Sequence, residues 1–185
     1  LLHVTDREDQ GGIFLKPLLN VILSRIVNIL RSFPFLILMI VLMPVARFIL
    51  GTTIGTRAAV VSLSIAAAPF VARVIETSLK EVDPGVVQAA KAMGSTNWQI
   101  IVKVMLPEAL PSLVSGVTLT IINLIGYSAM AGTIGGGGLG DLAIRYGYQR
   151  FRSDVMLAAV IVTIVLVELV QFVGNKISSR LLAKR

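Results

Sequence analysis

Apolar residues in this chain gather in long continuous blocks, not at the one-face spacing of a helix on a soluble core. Four blocks stand out, over residues 34–50, 58–79, 109–131 and 155–173. Each approaches the ~20 helical residues that cross ~30 Å of hydrocarbon. The first is the shortest and contains Pro44 and Arg47; the second runs through Pro69 and Arg73; the fourth carries Glu168 as its single charge. Ahead of them, residues 18–32 mix Ile22, Ile26, Ile29 and Leu30 with Arg25 and Arg31. That stretch is too polar to span and predicts an interfacial lead-in to the first block.

Composition agrees with the pattern. The 185 residues are 55% hydrophobic and 15% charged, with mean hydropathy +0.85, which predicts an all-α integral membrane protein. The net charge of +7 does not point to nucleic acid, because the charges flank the apolar blocks and form no basic stripe interleaved with aromatics. With no cysteine and one histidine, His3, the chain offers no disulfide, no thiol nucleophile and no His cluster for a metal. It begins Leu1-Leu2 and shows no secretory leader pattern. The expectation is a fragment of a longer chain, forming one transmembrane domain over residues 1–185.

Topology follows from the basic residues of the connections. One side collects Arg7, Lys16, Arg25, Arg31, Lys80, Lys91, Lys103, Lys176, Arg180, Lys184 and Arg185; the other has Arg47, Arg57, Arg145, Arg150 and Arg152. The richer side is expected to be cytoplasmic, with both ends of the chain there.

The connection over residues 80–107 is the most informative segment. Asp83-Pro84 is a helix start, since Asp accepts from the orphan amides and Pro at the first position loses no donor. Val86, Ala89, Ala90 and Met93 recur at helical spacing as one small apolar face, and Gly94 stands where a left-handed residue closes a helix of about ten residues. Thr96-Asn97-Trp98-Gln99 fits a capping box for a second helix, with Trp98, Ile101 and Val102 on its apolar side and an end expected before Pro107. This helix-turn-helix has two readings: a knob that docks into a groove, or an amphipathic connector lying on the membrane.

The same residues carry a family resemblance. Gln88-Ala89-Ala90, three residues, Gly94, nine residues, Val104-Met105-Leu106-Pro107 resembles the EAA motif of bacterial ATP-binding-cassette (ABC) importer permeases, which reads Glu-Ala-Ala, three residues, Gly, nine residues, Ile, any, Leu-Pro. All intervals agree; Gln88 and Val104 replace Glu and Ile, the first removing a charge. The resemblance implies a type I importer bundle and a coupling helix seated in a cytoplasmic ATPase subunit. Ala89, Ala90 and Gly94 become close-contact positions, with Gln88 beside them and Leu106-Pro107 fixing the exit toward the next span. Pro84 and Met93 join the candidate interface from the residue reading alone. Ala67-Ala68-Pro69-Phe70-Val71-Ala72-Arg73, Leu106-Pro107-Glu108-Ala109-Leu110-Pro111, Gly126-Tyr127-Ser128-Ala129-Met130-Ala131-Gly132 and Arg145-Tyr146-Gly147-Tyr148 are similar to the methionine-uptake branch of these permeases. Its members have five spans, so the four blocks here imply that the first span is absent.

Further implications of the resemblance are uptake of methionine in L- and D-forms and location in the bacterial inner membrane. The expected partners are a second copy of the chain, two ATP-binding subunits, an extracytoplasmic substrate-binding lipoprotein and the bilayer. ATP and Mg belong to the partner ATPase, so no cofactor and no catalysis are expected in this chain. Import of another amino acid or small solute is the alternative. A secondary transporter is disfavoured because neither a repeat nor a coupling-ion cluster is visible.

Other residues carry expectations of their own. Met130, among small neighbours at the outer end of the third span, is a candidate gate or ordinary packing. The run Gly135-Gly136-Gly137-Gly138 lacks the Lys-Ser/Thr of a phosphate loop and predicts a tight, closely packed turn, part of the surface facing a binding protein. Arg73 and Glu168 either pair with each other or snorkel separately to the inner headgroups. Thr120 and Asn123 are expected to hydrogen-bond between helices.

Overall fold

The computed structural model describes residues 17–132 and 135–183, and among these every regular element is helical. His3 and the basic residues Arg7, Lys16, Lys184 and Arg185 lie outside the described residues. In chain order the helices are α1 (Pro17–Ser32), α2 (Phe35–Val41), α3 (Met43–Leu50), α4 (Thr56–Lys80), α5 (Pro84–Ala92), α6 (Asn97–Gln99), α7 (Leu106–Ala131), α8 (Gly138–Asp141) and α9 (Ser153–Leu182). Wider π-helical turns over Ile100–Met105 and Leu142–Tyr148 follow α6 and α8.

Among the described residues three helices are long and apolar enough to cross a membrane: Thr56–Lys80, Asn97–Ala131 and Ser153–Leu182. Val21–Ser32 with Phe35–Val41 makes a fourth apolar stretch, bent by 106°. The block 34–50 is therefore not one helix, as its hydropathy predicted. Pro34 stands outside the helix at φ −55°, ψ 130°, and its ring keeps the preceding residue from α conformation. Leu42 then interrupts the block between α2 and α3, because the Pro44 ring would meet the carbonyl of Ile40 in an unbroken helix. The lead-in over residues 18–32 is a helix of its own. At the other end, α9 runs nine residues past the predicted 173, to Leu182. Its last turn carries Arg180, whose charge suits the negative end of the helix dipole.

The helices meet through small residues. A Cβ on Gly116 of α7 would collide with Val74 of α4, and one on Gly174 of α9 would collide with Thr118 of α7, so backbones approach closely, as helices do in lipid. Fully buried Met39 of α2 packs with Ala59 and Ala131, and the Phe35 ring stacks on Tyr127 at 3.9 Å. Large side chains such as Phe48, Leu157 and Phe172 point outward, where hydrocarbon is the solvent.

The glycine run forms the tight turn expected of it. Gly135, Gly137 and Gly138 have φ of 80°, 74° and 84°, the left-handed region open to glycine. Gly136 donates to the Ala131 carbonyl at 3.0 Å, and a Cβ there would lie 2.7 Å from the same oxygen.

One polar expectation needs correction, and one of the two alternatives for Arg73 falls away. Thr120 Oγ1 donates to the Gly116 carbonyl at 2.8 Å and Asn123 Nδ2 to the Leu119 carbonyl at 2.9 Å. Both bond within α7, one turn back, and neither bridges helices. Arg73 pairs with Glu76 at 2.7 Å, not with Glu168, which is exposed on α9.

Candidate functional site

The segment between α4 and α7 is built by its caps. The Asp83 carboxylate accepts from the Gly85 amide at 2.7 Å, with Pro84 in the first turn of α5. At the far end Met93 is the C-cap and Gly94 takes φ +77°, a conformation that L side chains adopt at a cost. The reciprocal capping box is complete: Gln99 N–H donates to Thr96 Oγ1 at 3.3 Å, and Thr96 N–H donates to Gln99 Oε1 at 2.9 Å.

The apolar residues of α5 divide between two faces, a correction to the single face that their spacing predicted. Ala90, 2% exposed, joins Val82, Val87, Ile100, Met105 and Ala109 in a small core. Val86, Ala89 and Met93 face outward, Met93 at 78% exposure. Gln88 and Gly94 are also exposed. Ala90 thus packs against the protein's own Ile100, and the outer surface of the elbow is Pro84, Val86, Gln88, Ala89, Met93 and Gly94. Trp98, predicted on the apolar side of the second helix, is 72% exposed beside them, and Ile100 takes the buried place.

The second helix does not end before Pro107. It continues from Asn97 to Ala131 as one 35-residue helix. The π-helical turn over Ile100–Met105 explains the continuity: its wider register absorbs the donor that Pro107 lacks and the bulk of its ring. Leu106 is 45% exposed at the start of α7. Met130 lies in the last turn of the same helix, 44% exposed, next to buried Ala131. One continuous helix therefore joins the elbow to the candidate gate.

A polar seam, invisible in hydropathy, ties the elbow to the spans. Glu76, 6% exposed, receives Arg73 at 2.7 Å and Lys80 at 2.8 Å. Ser112 of α7 donates to Glu81. Ser178 of α9 donates to the Pro111 carbonyl at 3.0 Å and lies 2.9 Å from Ser115 Oγ. The i, i+3 and i, i+4 placement of Arg73, Glu76 and Lys80 was the available signal for the first cluster. The serine contacts span 31 to 67 residues and had none. Among the described residues no group of three His, Cys, Asp or Glu side chains could hold a metal ion.

The chain is similar to known proteins over nearly its whole length. It is 52% identical over 180 residues to the probable D-methionine transport system permease protein MetI of Vibrio cholerae, covering 97% of this chain and 79% of that one. It is 44% identical over 179 residues to the methionine import system permease protein MetP of Bacillus subtilis, with the same coverage. A solved structure of the MetNI methionine ABC transporter, in an inward-facing conformation, superposes with TM-score 0.92 at 46% identity, over 97% of this chain and 82% of that chain. Residues 11–183 match the family described as binding-protein-dependent transport system inner membrane component, and the chain belongs to that family of transporter permease subunits.

Proposed function

We propose that this chain is the permease subunit of an ABC importer for methionine in L- and D-forms, with two copies enclosing the solute path. Two ATP-binding subunits drive the cycle from the cytoplasmic side, and a substrate-binding lipoprotein delivers solute on the other. The observation that carries this reading is the continuity of Asn97–Ala131. An exposed apolar surface at one end of that helix, held by two caps and a packed core, moves as a body with the span that ends at Met130. ATP-driven closure of a partner around Pro84, Ala89, Met93 and Gly94 is then transmitted through the packed elbow and this continuous helix toward Met130. The methionine named for the relatives supports the substrate.

In this reading both ends of the chain are cytoplasmic, the turn at Gly135–Gly138 belongs to the outer surface that meets the binding protein, and Leu106-Pro107 sets the path from dock to span. The chain performs no covalent chemistry; ATP and Mg are bound by the partner. Two copies are needed because one such bundle has too few helices to surround a solute, and a two-fold axis is the usual closed solution.

The test is ATP-dependent uptake of labelled methionine by proteoliposomes that contain the permease, its ATPase and its binding protein. Wild type imports methionine, and Gly94→Arg loses both uptake and ATPase association. Import of a different solute overturns methionine and leaves the importer; uptake without ATP overturns the importer.

A further inference from the structure

Between α1, α4 and α7 lies a groove of about 410 Å3, a size suited to a small molecule. Its lining divides by chemistry. Phe70, Val74 and Leu119 are apolar, Arg31 and Arg73 are cationic, and Glu81 is anionic. Arg73, Thr77 and Glu81 follow at four-residue intervals, so α4 and its C-cap present a cation, a hydroxyl and an anion along one stripe.

The charges are held apart. Arg73 uses Nη1 for Glu76, and Glu81 uses Oε2 to accept from Ser112. Among the described residues no ion pair joins Arg31 or Arg73 to Glu81. Opposite charges kept separate beside an apolar wall add little to stability, but they match a ligand with two charged groups and an apolar tail.

We propose that this groove binds a zwitterionic α-amino acid with an apolar side chain. Its carboxylate meets Arg31 and Arg73, its ammonium meets Glu81, and its side chain lies on Phe70, Val74 and Leu119. The assignment rests on the importer reading above and deepens it by giving this subunit its own solute site, at the end of the spans that carries the docking elbow. A phospholipid with an ethanolamine headgroup carries similar charges, and the experiment separates the two.

These 185 residues contain no cysteine, so Thr77→Cys places a thiol between the two poles where this sequence has none, and the transporter that keeps Thr77 supplies the labelling background. In the complete transporter in lipid nanodiscs, methionine slows maleimide labelling of that thiol. The decarboxylated amine and the deaminated acid do not. Glu81→Gln keeps an acceptor for Ser112 but removes the charge; it abolishes the protection and raises the KM for uptake about tenfold, as loss of one charge-assisted contact does. Leu119→Cys repeats the measurement if Thr77→Cys fails to assemble. Labelling indifferent to methionine, in a complex that imports it, overturns the site. Protection that tracks ethanolamine lipid and not methionine overturns it in favour of lipid. Absence of methionine uptake by wild type, whatever the labelling, is instead a failure of the importer reading.

Discussion

Gly174 of α9 lies against the Thr118 side chain of α7 with no room for a Cβ between them. The same helix, α7, meets α4 through Gly116 against Val74. Two glycines on two helices thus set the spacing of all three long spans. Gly174→Val drives a branched side chain into Thr118 and is expected to destabilise by about 1–3 kcal/mol. Gly126→Ala is the control, since a Cβ there meets nothing within 4 Å. Thermal unfolding in detergent should show a lower midpoint for the first and no loss for the second.

Glu76 is the shared acceptor of Arg73 and Lys80. Its own side chain is 6% exposed, while those of the two cations are 43% and 46% exposed. The cations are only partly covered by the protein, so the cluster is discounted from a fully buried pair, and Glu76→Gln is expected to cost about 1–2 kcal/mol in all. Lys80→Ala, with the Arg73 pair intact, should cost less than about 1 kcal/mol. Denaturation in rising salt checks the account, because the gap between Glu76→Gln and wild type must narrow as charges are screened.

The Asp83 cap predicts a local effect. Asp83→Ala leaves the Gly85 amide without its acceptor and should weaken α5 by about 1 kcal/mol. Asp83→Asn preserves most of the cap. Hydrogen exchange should rise in α5 for Ala and stay near wild type for Asn, with α7 unchanged in both.

Met130 offers a test of the gate. If its thioether closes the path, Met130→Ala leaks methionine from loaded proteoliposomes without ATP, while the docking elbow still binds the ATPase. Tight vesicles with normal ATPase association would return Met130 to ordinary packing.

Gly94→Ala separates conformation from contact. The residue is at φ +77° with open space around its Cβ position, so Ala strains the backbone by about 1–2 kcal/mol without a clash inside the chain. Uptake should fall less than in Gly94→Arg, which adds bulk to the docking surface. Equal losses would mean that the turn, not contact with a partner, is what the glycine serves.

The sequence by itself determined the membrane character, the three long spans, the caps at Asp83 and Thr96, the turn at Gly94 and the glycine turn at Gly135–Gly138. Each follows from a local rule: apolar length, a side chain reaching an orphan amide, or a φ that glycine tolerates. The fixed intervals from Gln88 to Pro107 also placed the chain among importer permeases. Tertiary structure decided the rest. Spacing put Ala90 with Val86, Ala89 and Met93, but only packing against Ile100 and Ala109 turned Ala90 inward and left the others outside. Pro107 read as a stop because the rule assumes α-helical register, whereas the chain enters Pro107 from a π-helical turn over Ile100–Met105. Hydroxyls such as Ser115 and Ser178 paired across 63 residues, a distance in sequence at which no local pattern can show which polar groups will meet.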